Sequence, residues 1–255
     1  MTILQSYFKY FIKAKKRHGI HSPFVYEFMD KCLSQRINSE DLEIIEAFKN
    51  SLKKNSEVIS INDFGAGSKR MGNQRKVSQI YKNSSSGSKY GAFLYKISKY
   101  YQPMNILELG TSLGVGTLNL HLGNKHAKID TVEGCPNTFS FTKKNFSNYS
   151  INENVKFHNS RFDSFLNQKN GKYDLVFIDG DHQKASLLNM IDLLDEQIHD
   201  KTILILDDIR WSKDMLSAWI KLSERKEFHV SMEFLRMGIL LKREAQNKEH
   251  FYLRF

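Results

Sequence analysis

The 255-residue sequence contains only two cysteines, Cys32 and Cys135, far apart and without C-x-x-C spacing. That excludes a disulfide framework and a cysteine metal knuckle, and predicts two reduced thiols in a cytoplasmic protein. Prolines number three and no long low-complexity run occurs, while 40% of the residues are apolar, enough for a real core. There is no run of about 18 apolar residues, so no membrane span is expected. The N-terminus lacks the apolar stretch of a secretory signal. Acids are absent before Glu27, and the net charge is +10. Such a balance is compatible with nucleic acid, an anionic membrane surface or an acidic small substrate. A chain of this length holds one α/β domain with an extension, or two small domains.

What is present centres on Asn105-Ile-Leu-Glu108-Leu-Gly110-Thr111-Ser112-Leu-Gly114-Val-Gly116-Thr-Leu-Asn119. An apolar run ends in a carboxylate and a glycine, and small polar residues then turn helical. A strand, a tight turn and a helix start in this order build a cofactor pocket at the carboxyl end of an open α/β sheet. Dinucleotide folds want G-x-G-x-x-G. Here the glycines are four and then two apart, with an acid before the first. Glu108-x-Gly110-x-x-x-Gly114 resembles motif I of the class I methyltransferases that use S-adenosylmethionine (SAM).

From Asn105 onward the pattern alternates. Strands are expected at Ile106–Leu109, Lys128–Glu133, Val155–His158, Tyr173–Asp179 and Thr202–Asp207, each followed by a helix. Five strands alternating with helices predict a parallel sheet, and buried strands read as continuous apolar runs. Glu227–Phe234 and Gly238–Lys242 follow, joined by a link too short for a crossover, so this last pair must be antiparallel.

Residues 1–85 read as a helical N-terminal extension, able to act as a lid, and 86–255 as the core domain. Tyr7, Phe8, Phe11 and Ile12 recur at helical spacing in a basic segment ending at Arg17. The segment reads as a surface helix for a membrane or nucleic acid, or as a helix packed on the body or on a second subunit, which would make a homodimer. His18-Gly-Ile-His21-Ser22-Pro23 is either a contact with a site or the cap of a helix over Phe24–Leu33. A further helix spans 39–54, with Leu42, Ile45, Phe48 and Leu52 on one face. Ile61-Asn-Asp63-Phe-Gly65-Ala-Gly67 repeats the glycine pattern behind a short apolar run and is read as a turn, whose Lys69 and Arg70 could meet an anionic substrate group. Asn83–Ser88 reads as a flexible link.

Carboxylates stand at every core strand end: Glu108, Glu133 beside Gly134, Asp163, Asp179 with Asp181 and His182, and Asp207 with Asp208. Capping could explain Asp163 and Asp181, but not Asp207-Asp208 behind a buried strand. For SAM, Glu133 can accept hydrogen bonds from the ribose hydroxyls. Gly110 and Gly114 allow close backbone approach, and amides near Thr111 and Ser112 can bind the methionine carboxylate. Phe162 and Asp163 would give a stacking face and an acceptor for the adenine amine.

Across residues 88–243, Ile-Leu-Glu108-Leu-Gly-Thr-Ser-Leu-Gly, Thr-Val-Glu133-Gly, Val-Phe-Ile-Asp179-Gly-Asp181-His182 and Leu-Asp207-Asp208-Ile-Arg-Trp211 are similar, in order and spacing, to the catechol and caffeoyl-CoA type O-methyltransferases. The resemblance implies a Rossmann-like, doubly wound, mostly parallel seven-stranded sheet whose last strand is antiparallel. It also implies a divalent metal, here on Asp179, Asp207 and Asp208, and catalytic roles for Asp179, Asp207 and His182. Two departures stand out: Asp208 replaces an asparagine, and His182 replaces the lysine base. Three hard oxygens suit Mg²⁺ or Mn²⁺. Without a metal, three carboxylates repel, so one must be protonated or paired with Arg210 or Lys213. An imidazole suits proton abstraction near neutral pH.

The expected activity is methyl transfer from SAM to an oxygen of a small-molecule acceptor. A nucleic-acid (RNA) methyltransferase is the alternative favoured by charge, although no Asn/Asp-Pro-Pro-Tyr motif follows the fourth strand. A SAM-binding protein without catalysis is the third.

Overall fold

The computed structural model describes residues 2–61, 74–84, 88–149, 154–169 and 171–254. The glycine turn at 62–70 and the centre of the serine-rich link fall outside these residues.

An eight-stranded sheet carries the molecule, built from β3 (Asn105–Leu109), β4 (Lys128–Glu133), β5 (Val155–Asn159), β6 (Leu175–Ile178), β7 (Ile203–Leu206), β8 (Val230–Phe234), β9 (Met237–Leu241) and β10 (Glu249–Tyr252). Across the sheet the order is β10-β8-β9-β7-β6-β3-β4-β5. Only β9 runs antiparallel, hydrogen-bonded between β7 and β8. The parallel core and the antiparallel seventh strand follow the expectation. The eighth strand, β10, does not: it pairs parallel with β8 at the sheet edge, where a strand needs no continuous apolar run. The extension holds a separate antiparallel pair, β1 (Val58–Ser60) and β2 (Gln74–Lys76).

Each central strand is apolar on both faces because each face is covered. Ile106, Phe177, Ile205 and Ile239 point into one core, shared with α5 (Ser88–Tyr101) and α6 (Val115–Gly123). Leu107, Val176, Leu204 and Leu240 point into the other, shared with α8 (Phe162–Leu166), α9 (Lys184–Leu194) and α10 (Lys213–Glu224). This is the doubly wound arrangement.

The helices of the extension from Pro23 onward join the first core rather than building their own. Val25 and Phe28, at α2 (Pro23–Glu27) and the π-turn after it, pack with Phe93 of α5 and Phe234 of β8. Ile45, Phe48 and Leu52 of α3 (Ser39–Lys54) are buried as expected, whereas Leu42 is exposed. Asn38 caps α3 by accepting from the Asp41 amide, and Glu40 and Asp41 complement the helix dipole. Helix α1 (Ile3–Lys13) opens with a capping box between Thr2 and Gln5.

Candidate active site at the strand ends

Register brings the functional residues to one line. Leu109 pairs with Ile178, Ile178 with Leu206, and Leu206 with Gly238. The next residues out, Gly110, Asp179 and Asp207, therefore share one level of the sheet edge.

Gly110 is there by necessity. Its φ is +109°, and a Cβ would sit 2.0 Å from the Asp179 carbonyl oxygen. Only glycine lets β3 turn this close to the end of β6. Gly114, with φ +81°, begins α6, and a Cβ there would strike the Phe146 ring at 2.3 Å. Between them the backbone is tied inward: the Gly110 and Thr111 amides donate to the Val132 carbonyl, and the Ser112 amide donates to Glu133 Oε2 at 2.9 Å. Glu133 Oε1 accepts from the Cys135 amide at 2.8 Å. The carboxylate of Glu133 is thus fixed at the end of β4. Gly134 follows it, its carbonyl accepting from Asn159.

Glu108 lies beneath this loop and is fully buried. Its Oε2 accepts from the Thr117 hydroxyl and, at 2.6 Å, from the Thr131 hydroxyl, while Oε1 has no hydrogen-bond partner. Burial pushes its carboxyl up to about 7, against the pull of the two hydroxyls. Glu108 borders a cavity together with Gly110, Ser112, Gly116, Phe177 and Asp179, and Tyr81 of α4 (Val77–Ser84) closes one side. The extension therefore contributes a wall of the pocket, through a residue the sequence did not single out.

Phe162 sits over Gly180, where a Cβ would meet its ring at 2.8 Å. Asp163 is turned to its own helix: it accepts from the Ser164 amide at 2.8 Å and pairs with Arg161. It lies in the first turn of α8, where its charge complements the helix dipole.

The acids beyond β6 and β7 form the chemically densest cluster. Asp207 is fully buried and held by Arg236, whose Nε and Nη2 each lie 2.8 Å from its carboxylate oxygens. Arg236 Nε also lies 2.8 Å from Asp208 Oδ1, and the guanidinium stacks over Tyr90 at 5.5 Å. Asp208 Oδ2 lies 3.8 Å from His182 Nε2. His182 Nδ1 is buried with no hydrogen-bond partner, and its ring lies 6.0 Å from the exposed Trp211. Asp181 accepts from the Ser186 hydroxyl on α9. Asp179 is held well above the usual carboxylate range by burial and by the charges of Asp207 and Asp208. Burial and Asp207 also raise Asp208, with Arg236 and His182 opposing.

Two expectations change here. Repulsion among the acids is relieved by Arg236, not by Arg210, which instead turns away to Glu233. Asp207, held on both oxygens by Arg236, does not join a metal-like cluster. The residues whose ligand atoms fall within 4.8 Å of one another are Asp179, His182 and Asp208. Away from this site, Arg17 of the His18/His21 loop bonds His18 and Asp30, and Ser22 caps α2 by accepting from the Val25 amide.

Residues 107–209 match the family described as "Methyltransferase domain". No curated protein sequence matches the chain. Among solved structures, methyltransferase PaMTH1 of Podospora anserina with bound S-adenosylhomocysteine is 16% identical, with a TM-score of 0.57, over 82% of this chain and 97% of that one. An O-methyltransferase from Bacillus cereus, also with S-adenosylhomocysteine, is 14% identical with a TM-score of 0.58, over 82% and 94%. TomG, an O-methyltransferase of tomaymycin synthesis from Streptomyces achromogenes bound to SAM, is 14% identical with a TM-score of 0.56, over 64% and 86%. Residues 107–209 thus resemble a methyltransferase domain, carried on a fold shared with these solved methyltransferases.

Proposed function

We propose that the protein transfers the methyl group of SAM to an oxygen of a small-molecule acceptor. The observation that carries this reading is the division of the strand-end line. Glu108 and Gly110 line the cavity at the end of β3, read here with Glu133 as the cofactor side, and Asp179, His182 and Asp208 lie beside them, read as the proton-handling side. The sulfonium already activates the methyl group, so the enzyme has to align donor and acceptor and remove one proton. As the sulfur–carbon bond breaks and the oxygen–carbon bond forms, the hydroxyl proton passes to His182. Asp208, 3.8 Å from Nε2, supports the imidazolium that results.

The same three residues fit a divalent cation, offering two carboxylates and an imidazole. Bound there, such an ion would supply a Lewis acid that lowers the pKa of the acceptor hydroxyl, with His182 then a ligand in place of the base. Among the described residues no helix is long and apolar enough to cross a membrane. We assign the protein to the cytoplasm, in keeping with Cys32 and Cys135 as buried free thiols.

The test is incubation with methyl-labelled SAM and either metabolite extract or RNA, with and without EDTA. Label in a low-mass product is expected, and His182→Ala lowers kcat about 100-fold with SAM affinity retained. Label found only in RNA, or SAM binding with no transfer at all, would overturn the reading. Loss of activity in EDTA with recovery on Mn²⁺ establishes the ion; full activity in EDTA removes it.

Glu133→Ala is expected to weaken SAM binding about tenfold or more in titration calorimetry, because a charge-assisted acceptor for the ribose is lost. Unchanged affinity would mean that the ribose lies elsewhere.

A further inference from the structure

The reaction leaves one prominent surface unused: the outward face of α1. Leu4, Phe8, Phe11 and Ile12 lie at i, i+4, i+7 and i+8 and are 79%, 69%, 52% and 67% exposed. The helix is not loose. Its opposite face is anchored by buried Ser6 and Tyr10, the Tyr10 hydroxyl donating to the Leu253 carbonyl at 2.5 Å and its ring lying 5.2 Å from the Arg210 guanidinium. The apolar stripe is therefore held outward by a well-seated helix.

The flank of the stripe is basic. Lys9 and Lys13 lie side by side over the Tyr252 ring, at 5.8 and 5.7 Å. Lys15, Lys16 and Arg17 follow directly, and the first 26 residues contain no acid. Apolar side chains on one face with lysines beside them are what a helix lying in a membrane interface presents.

We propose that α1 docks the protein reversibly on an anionic membrane surface, with Leu4, Phe8, Phe11 and Ile12 entering the headgroup boundary and the lysines meeting lipid phosphates. A second copy of the chain fits this face poorly. An 11-residue helix is about 16 Å long, and one stripe on it is a small part of the roughly 800 Å² per partner that a stable interface buries. Two such faces would also bring their lysines together. Nucleic acid would use the lysines but leave four large apolar side chains without a role. The inference rests on α1 alone and is independent of the acceptor.

The experiment is co-sedimentation of the full chain with vesicles of phosphatidylcholine alone or mixed with phosphatidylglycerol, at low and high salt. Binding is expected only to the mixed vesicles and should weaken with salt. Phe8→Glu/Phe11→Glu and Lys9→Glu/Lys13→Glu should each weaken it at least about tenfold. An unchanged melting temperature and unchanged SAM binding would show that the variants are folded. Absence of binding to the mixed vesicles, equal binding to phosphatidylcholine alone, or a stable dimer in sedimentation velocity that Phe8→Glu/Phe11→Glu dissociates would each overturn the proposal.

Discussion

Arg236→Met is expected to destabilise the protein by about 3 kcal/mol or more at pH 8, because it leaves a fully buried carboxylate without its cation. Asp207 would lose both of its 2.8 Å bonds to the guanidinium, and Asp208 its ion pair. The loss should depend on pH in a defined sense. Asp179 and Asp208 are already raised above the usual carboxylate range in the folded state, and Arg236 opposes that rise at both. Removing Arg236 pushes them further up. A carboxyl group with a raised folded-state pKa costs nothing below its unfolded value, and its cost grows as pH climbs toward the folded value. The variant should therefore lose stability more steeply than the wild type as pH rises above the ordinary carboxylate range. Arg236→Lys should recover part of the loss, since it keeps the charge but not the two-pronged geometry. Urea unfolding at rising pH is the measurement. A variant as stable as the wild type at pH 8, or one whose deficit does not grow with pH, would show that Arg236 is not the counter-charge of this cluster.

Arg236 also marks where the sequence stopped being readable. Strands β3, β6 and β7 could be read directly, since burial on both faces demands continuous apolar runs. The first polar residue after each run had to lie at the sheet edge, so Gly110, Asp179 and Asp207 were found. Their partners were not. Arg236 is 29 residues from Asp207, and proximity in sequence pointed to Arg210 and Lys213 instead. One signal was available. A two-residue link between antiparallel strands, with β9 beside β7, puts positions 235 and 236 next to the end of β7. β10 was missed for a different reason: as an edge strand, its Glu249-His250-Phe251-Tyr252 needs no apolar run. In α1 the helical period was visible but its inward face was not, because Tyr10 and Ser6 are buried through hydrogen bonds while Leu4, Phe8, Phe11 and Ile12 face out.

Glu108→Gln is expected to stabilise the ligand-free protein while weakening SAM binding. Glu108 is fully buried and its carboxyl is raised from 4.5 to about 7, with burial as the main cause. Below about 4.5 both folded and unfolded chains hold this proton, and the group is neutral in the balance. Between the two values the folded chain keeps a proton that the unfolded chain has lost, so stability falls as pH rises. Above about 7 the full cost is present, on the order of 3 kcal/mol for a shift of this size. Glutamine removes that titration, and its amide oxygen can still accept from Thr117 and Thr131, the present donors to Oε2. The variant should then be more stable than the wild type by up to about 3 kcal/mol at pH 8, with a smaller gain at pH 5.5. In SAM binding the order reverses. The methionine part of SAM carries a cationic amino group, and Glu108 Oε1 is the buried acceptor left without a partner beside the cavity. A buried carboxylate kept near neutrality can give up its proton when that cation arrives. Wild-type affinity for SAM should accordingly rise as pH passes through 7, and the affinity of Glu108→Gln should stay flat. Melting curves with and without saturating SAM, taken across this range, separate the two effects. Parallel pH profiles for wild type and variant would mean that Glu108 keeps one protonation state throughout. In that case its place beneath the loop is a matter of packing Thr117 and Thr131, not of recognising the cofactor.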